Sequence, residues 1–514
     1  MGNALTAVGG DAGSIVFNPA GSAVAGYSQF TITPGLTLSA SSSGASQILP
    51  SAAYTADNAN ASYVRAKLPN LSFIINMDTG RRRGLRRMSF GFVLNQSADF
   101  TGRILAFGVN ADNSYAASLA SSAEGYSTSV LGGDWYAGGS AANRAAWVDM
   151  TGYQAYMFDP HEDFQNFYVA VTEDSEVVDK GGYMYLNRWL AGPLRQQYCQ
   201  QTFGSKHEAI LNFSMNYSDR FYIGANLGIT ALHYGMSEYW NEEPVNQSDF
   251  VIHYADGTSA MLESLRMNHT YSIEGSGIYL KAGALWRPFA GLRIGAAVQT
   301  PTVMNLREHY GYSGKVNMSG KKPSPASSPE DEWDYAVRNP WRFNAGVAYS
   351  IGSVALISAD YELADYSRAI FASILDNGRY DYQDFYGESA NWANDDIEEL
   401  LGKSHQIRLG GEFRLTPEWS LRAGYNLTTS AEKNSSLMRR AVSLGFGHSV
   451  GSMYIDAAVR MRTVPSLDFR TYDYYTYDSP ESFPYKYVDD SIKTPGVCVN
   501  TKFFDALVTI GWRF

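Results

Sequence analysis

The chain ends on Phe503-Phe-Asp-Ala-Leu-Val-Thr-Ile-Gly-Trp-Arg-Phe514, and this stretch decides the fold. Phe504, Ala506, Val508, Ile510, Trp512 and Phe514 share one face of an extended chain. Phe503, Asp505, Leu507, Thr509, Gly511 and Arg513 share the other. Period-two alternation of this length is the mark of a strand between two unlike surroundings. A strand that crosses a bilayer needs about 9–11 residues, and this run supplies them. A charge facing lipid at mid-membrane costs about 2–4 kcal/mol. The face with Asp505 and Arg513 must therefore look into a lumen, and the aromatic face into lipid.

The same pattern recurs upstream. Ile455, Ala457, Val459 and Met461 oppose Asp456, Arg460 and Arg462. Ile407, Leu409 and Phe413 oppose Arg408, Glu412 and Arg414, and Leu421, Ala423 and Tyr425 oppose Arg422 and Asn426. An open sheet would leave unpaired backbone edges in hydrocarbon, so the strands must close. They are expected near 27–40, 63–77, 86–96, 207–217, 220–234, 270–287, 291–301, 303–318, 340–351, 353–366, 403–415, 418–429, 438–449, 452–464 and 499–514. That count is odd, whereas bacterial single-chain barrels have even counts. Pro301 lacks a ladder donor and sits at a possible bulge; a kinked single strand over 291–318 makes the number fourteen. Short and long connections then alternate throughout, and both termini fall on the periplasmic side.

The expected organisation is a 14-stranded antiparallel transmembrane β-barrel over 27–514 with a short N-terminal hatch, residues 1–26, in its lumen. The largest extracellular loop is 97–206, too long to be structureless; short helices are expected within 141–150 and 183–200, and another over 394–402. The Tyr- and Asp-rich stretch 472–490 reads as a solvated, aromatic-buttressed loop. No run approaches the roughly 20 apolar residues of a membrane helix. Met1-Gly-Asn-Ala reads as mature sequence, so an export signal is expected to have been removed before it. A net charge of −11 argues against nucleic-acid binding. The eight His show no ligand spacing and no nucleophile is grouped with them, so no metal, no cofactor and no catalytic residue is assigned. Cys199 and Cys498 both fall near the outer rim, where a disulfide would staple two loops.

The opening segment, Gly2-Asn-Ala-Leu-Thr-Ala-Val-Gly-Gly-Asp-Ala-Gly-Ser-Ile-Val-Phe-Asn-Pro-Ala-Gly21, joined to this barrel, resembles the FadL/TodX-type outer-membrane transporters of long-chain fatty acids and other hydrophobic compounds. Gln299-Thr-Pro-Thr-Val303, Trp341-Arg-Phe-Asn-Ala-Gly-Val-Ala-Tyr349 and Ala359-Asp-Tyr-Glu362 add to the likeness, as does the C-terminal Gly511-Trp-Arg-Phe514. The resemblance implies a bacterial outer-membrane location and a hatch whose gate is Asn18, Pro19, Ala20 and Gly21. It implies passive transport, with capture on an extracellular hydrophobic docking surface and release through rearrangement of the hatch and a wall gap by the third strand, around 86–96. The expected partners are a hydrophobic small molecule, or lipid or detergent, and outer-membrane lipid. The alternative is a protein-interaction barrel, similar to the FadL-fold shuttle subunit of the type IX secretion system, with a protein partner on the extracellular loops. A general porin is the third reading.

Overall fold

The computed structural model describes residues 1–136, 146–374, 380–381, 392–476 and 487–514. Its barrel strands are β1 (Gln29–Ala45), β2 (Ala59–Asp78), β3 (Leu85–Asp99, continued by Gly102–Asn110), β4 (Leu194–Tyr217) and β5 (Phe221–Pro244). They continue as β6 (Ser259–Phe289), β7 (Leu292–Gln299, continued by Val303–Met318), β8 (Asp331–Arg338, continued by Arg342–Ile351) and β9 (Ala355–Asp365, continued by Ile370–Ile374). The ring is completed by β10 (Lys403–Arg414), β11 (Trp419–Thr429), β12 (Met438–Val450), β13 (Met453–Thr463, continued by Leu467–Arg470) and β14 (Gly496–Arg513). Each is antiparallel to its neighbours, and β14 pairs with β1 from Gln29↔Arg513 to Ala45↔Val497, which closes the barrel.

The kink at Pro301 resolves the count. Both stretches of β7 lie along β6, so they are one strand. Pro301 offers no N–H, and Thr300 bridges the break: its N–H donates to the Leu280 carbonyl and its hydroxyl accepts from the Leu280 N–H. The strands reach further outward than the alternation suggested. β4 begins at Leu194, and residues 183–190, expected to be helical, form a hairpin arm with Glu173–Lys180. The reason is physical: beyond the bilayer neither face of a strand meets lipid, so alternation fades while the hydrogen-bond ladder continues. Gln196, Gln197, Gln200 and Gln201 are such residues.

Outward positions are apolar and exposed, as with Leu211 at 53%, Leu444 at 59% and Val459 at 58%, while inward Asn212, Ser214 and Asn226 are buried. An exposed apolar band around the whole circumference makes sense only against hydrocarbon. No helix is long and apolar enough to cross a membrane. The chain is a bacterial outer-membrane β-barrel.

The long connection after β3 folds into a cap over the outer mouth. Beyond the short α1 (Ser14–Phe17) of the N-terminal segment, helices α2 (Tyr115–Ala123) and α3 (Trp147–Gln154) bury Leu119, Met150 and Trp147 against Phe158, Tyr168 and the barrel residues Leu262, Leu265 and Met267. The start of α3 lies within the stretch expected to be helical; residues 141–145 of that stretch fall outside those described. Ser114 caps α2 by accepting from the Ala117 N–H at 3.0 Å. The buried Glu242 carboxylate of β5 accepts from the Tyr115 N–H at 2.7 Å, docking the helix onto the barrel. In the stretch 472–490, Tyr472 and Tyr474 are buried in the cap core, and residues 477–486 lie outside those described. The helix expected over 394–402 runs Trp392–Leu400, and Asn394 does not cap it but binds the Phe371 backbone through both amide atoms.

The two cysteines are free thiols in the structure, not a disulfide. Their neighbours Tyr198 and Val497 pack together in one cluster inside the barrel. Strand alternation then turns Cys199 toward its cross-strand partner Tyr239 and Cys498 toward Asp468.

Candidate functional site

Strand β3 leaves the wall halfway up. Its lower stretch pairs with β2 only from Asp78↔Arg87 to Asn70↔Asn95. Above that, residues 59–69 of β2 have no strand partner on this side among the described residues, while β3 stays paired to β4. The window is closed at its top by Tyr54–Asp57, which pairs with Asn110–Phe107 of β3. Its lower part lies within the apolar band, beside Leu36 and Val64, exposed by 52% and 60%.

The bend has local causes. Ser97 is an extra residue in the β3–β4 register, between Gln96↔His207 and Ala98↔Lys206. A bulge of this kind bends and twists the strand. Opposite it, Gly204 adopts φ +110°, and a Cβ there would overlap the His233 carbonyl, so only glycine fits. Asp99 ends the lower stretch by accepting from the Thr101 N–H at 3.1 Å, and its other oxygen meets Lys67 at 3.2 Å.

The upper stretch of β3 then lies on the inner face of β1. The inward side chains of β1 there are small, Thr37, Ser39, Ser41 and Ser43, and all are buried. The Ser41 hydroxyl donates to the Arg103 carbonyl, and Ser43 to the Leu105 carbonyl. Side chains thus replace the strand partner that β3 has lost. A net hydrogen bond of this kind is worth about 1 kcal/mol. Ser41→Ala with Ser43→Ala is expected to weaken this docking by about 2 kcal/mol, read as faster amide exchange at 103–106 with exchange in β10–β12 unchanged.

The N-terminal segment sits inside the barrel, toward the periplasmic ends of the strands. Asn18 is wholly buried and organises it. Its Nδ2 donates to the Thr6 carbonyl at 2.8 Å and the Ala284 carbonyl at 3.0 Å, and its Oδ1 accepts from the Ala20 N–H at 3.1 Å. That last bond caps the 3₁₀ turn Pro19–Val24, with Pro19 at its first position. The wall answers in kind. Asn212 donates to the Pro19 carbonyl, Asn226 to Ile15, Lys281 to Val16 and Ser358 to Ala4, all at 2.8–3.0 Å. The Thr6 N–H donates to Asp360 at 2.7 Å.

Wall glycines make room for this, among them Gly224, Gly283, Gly295 and Gly424. A Cβ at Gly224 would lie 2.6 Å from the Pro19 carbonyl group; one at Gly283 would overlap Asn18, at Gly295 Thr6, and at Gly424 Gly2. Glycine inside a strand marks a close backbone approach, and all four fall at inward positions. Gly9 and Gly10 use positive φ, whereas Gly21 is small for packing: its Cβ would press on Ser14. The four expected gate residues therefore form one buried corner held by β4, β5 and β6. Asn18→Asp would replace two donors with acceptors facing carbonyls, each conflict costing about 1–3 kcal/mol. It is expected to expose the segment to protease added from the periplasmic side, with the barrel resistant.

Outward of this segment, in the lumen, lies a cavity of about 680 Å³. It reaches the window at Pro69, Asn70 and residues 95–99, and crosses the lumen to Lys281, Arg342 and Arg408. The charged side chains expected to face inward do so and pair: Arg422 with Glu412 and Asp456, Arg460 and Arg462 with Asp505, Arg408 with Glu362. At the outer rim, the aromatic cluster of Tyr54, Tyr115, Tyr198, Trp240 and Tyr472 encloses only about 10 Å³, near the room of one water. The hydrophobic surface expected there is packed against itself. Sequence reading missed Ser41, Ser43, Ser97 and Gly204 because small polar residues at a strand end look like a loop; the inward phase of the glycines was the available signal.

These features define a class: a closed outer-membrane barrel with a filled lumen and a window in its wall. No protein-family model matches the chain, and no curated protein matches it. Among solved structures, it is similar to the Pseudomonas putida toluene transporter TodX, at 13% identity and a TM-score of 0.48 over 99% of each chain. It is also similar to a Pseudomonas aeruginosa FadL homologue, at 12% identity and 0.47 over 99% of this chain and 95% of that one. The Ralstonia pickettii toluene transporter TbuX matches at 12% identity and 0.46 over 99% of each.

Proposed function

We propose that this barrel passes small hydrophobic molecules from its lumen sideways into the bilayer through the β2–β3 window, while the N-terminal segment is a hatch that closes the axial route. The observation that carries this reading is the unpaired edge of β2 at 59–69, set in the apolar band and joined to the lumenal cavity. Each unsatisfied backbone group in hydrocarbon costs several kcal/mol, so such an edge is tolerated only where it lines a wet path. An apolar solute gains about 0.8 kcal/mol per methylene on entering lipid, and a side exit delivers it there without crossing the periplasm. The hatch is bonded to the wall on many sides, which favours a route that does not need it to move. Long-chain fatty acids and monoaromatic compounds both suit such a path. The test is to fill the window and follow uptake, as argued below.

A second reading, a protein-interaction barrel, draws on the hairpin 173–190, which exposes Tyr185 by 49% and Trp189 by 43%. A stoichiometric protein that co-purifies and is lost with this hairpin would favour it.

A further inference from the structure

The periplasmic end of the barrel carries its charge on one side. The turn between β2 and β3, with the strand ends beside it, holds Arg81, Arg82, Arg83, Arg86 and Arg87. The turn between β4 and β5 holds Arg220, and that between β6 and β7 holds Arg287 and Arg293. The acids on these three turns are Asp78 and Asp219. The turns β8–β9, β10–β11 and β12–β13 hold only Arg414, which meets Glu412 at 3.6 Å, and Glu418. The three basic turns form one surface: the Ser218 N–H donates to the Gly84 carbonyl at 2.8 Å, and the Arg287 N–H to the Arg220 carbonyl at 2.8 Å. In a chain of net charge −11 the surface is a local reversal of sign.

Three of these arginines are already engaged. Arg86 pairs with Asp219, Arg87 meets Asp78 at 3.8 Å, and Arg293 donates to the Val8 carbonyl of the N-terminal segment. Arg81, Arg82 and Arg83 are exposed and, like Arg220 and Arg287, have no ion pair among the described residues. Asp78 does not neutralise them: it accepts from the Gly80 N–H at 2.8 Å and so shapes the turn that presents them. The lipid-facing side chains end just short of this surface. Met77, Tyr217, Phe221, Trp286 and Phe289 are exposed by 42–58%, and Phe221 stacks on Trp286 at 6.3 Å. They belong to the aromatic girdle that marks the edge of the hydrocarbon. A strand advances about 3.3 Å per residue, so residues 81–83 stand at head-group height. Every cation on the three turns is arginine. A planar guanidinium matches two phosphate oxygens with parallel bonds, which an ammonium cannot do.

We propose that the periplasmic turns of β2–β7 bind anionic phospholipid of the inner leaflet, with Arg81, Arg82 and Arg83 on the phosphates and Tyr217, Phe221 and Trp286 against the acyl chains. Height favours a lipid over an acidic protein. The guanidiniums stand beside the girdle, where phosphates are already concentrated, and basic side chains at that level attract anionic head groups. Arg220, on the adjoining turn, extends the surface along the rim. The turn that carries Arg81–Arg83 joins the two strands that frame the window, so the bound lipid lies beneath it. The binding does not depend on the transport route.

The experiment reconstitutes the full chain in phosphatidylcholine vesicles containing a minor share of phosphatidylglycerol. The protein is then extracted in an uncharged detergent, and the lipids it retains are counted by mass spectrometry. Phosphatidylglycerol is expected to exceed its share of the vesicle by about fivefold or more, the gain from a single well-placed basic residue. Arg81→Gln with Arg82→Gln and Arg83→Gln is expected to remove that excess. Lysine at the same three positions keeps the charge and is expected to restore only part of it; full restoration would overturn the guanidinium contact in favour of diffuse charge. Arg439→Gln with Arg440→Gln removes two exposed cations at the opposite end of the barrel and is expected to change nothing. An equal loss there overturns the placement. Heat-dependent gel migration checks that each barrel is closed. Retention of phosphatidylglycerol at its vesicle share by the unmodified chain overturns the site, as does an excess that survives the glutamine triple. Binding of soluble polyglutamate by the unmodified chain with no lipid excess overturns it in favour of an acidic periplasmic protein.

Discussion

Replacing Ala98 with tryptophan is expected to lower delivery of a hydrophobic solute into proteoliposomes by about tenfold or more, the rate equivalent of about 1.4 kcal/mol in barrier height. Ala98 lines the cavity at the point where β3 has left β2, with Pro69 across from it on β2. An indole there fills the lower window, and its apolar area stabilises the filled state. Ala98 also precedes Asp99, whose bonds to Thr101 and Lys67 hold the bend, so the substitution blocks the opening without removing what makes it. Ala98→Leu is expected to give a smaller effect. Leu444→Trp is the control, because Leu444 points to lipid on β12, away from the window, and is 59% exposed. Folding is checked by the heat-dependent gel migration of closed barrels. Normal delivery through a correctly folded Ala98→Trp barrel would sink the side exit and return attention to the axial route.

The parts of this architecture visible in the sequence are those where lipid imposes a rule. Trp512, Val508 and Phe504 alternate with Asp505 because the bilayer permits no other arrangement, and the same rule located all fourteen strands. Height along the barrel was legible too, since connection length tells the two ends apart. Position around the ring was not. Cys199 and Cys498 were placed at the right height, but only the strand order and phase show that Tyr198 and Val497 face inward and carry the thiols away. The window was hidden for another reason. It depends on a long-range exchange in which Ser41 and Ser43 bind carbonyls of a strand some 60 positions on, and serines at a strand end carry no period. The hatch lies between these cases. Its Asn18-Pro19-Ala20 corner drew notice as a likeness, yet the better physical signal was in the wall, where Gly224, Gly283, Gly295 and Gly424 interrupt inward phases otherwise filled by polar side chains.

Those glycines give the sharpest test of whether the hatch moves. Gly283→Val is expected to unseat it and leave a steady axial current in planar bilayers. The new side chain would occupy the place of Asn18 Oδ1 and press on Pro19 Cδ, 2.8 Å from the added Cβ. Asn18 cannot then keep its bonds to Thr6 and Ala284, and neighbouring contacts from Asn212 and Lys281 are strained with it. Losing three or four buried bonds at about 1 kcal/mol each shifts the seating equilibrium by about a hundredfold or more. The barrel itself has no reason to weaken, since valine suits a strand better than glycine does. A closed baseline in folded Gly283→Val would mean that the seat does not hold the hatch. The same variant separates two mechanisms. If the solute leaves through the window past a fixed hatch, its delivery persists in Gly283→Val while ions and sugars begin to leak. If the hatch must rearrange around Asn18 to release each molecule, delivery changes along with the leak, because the corner that would have to return to its seat no longer has one.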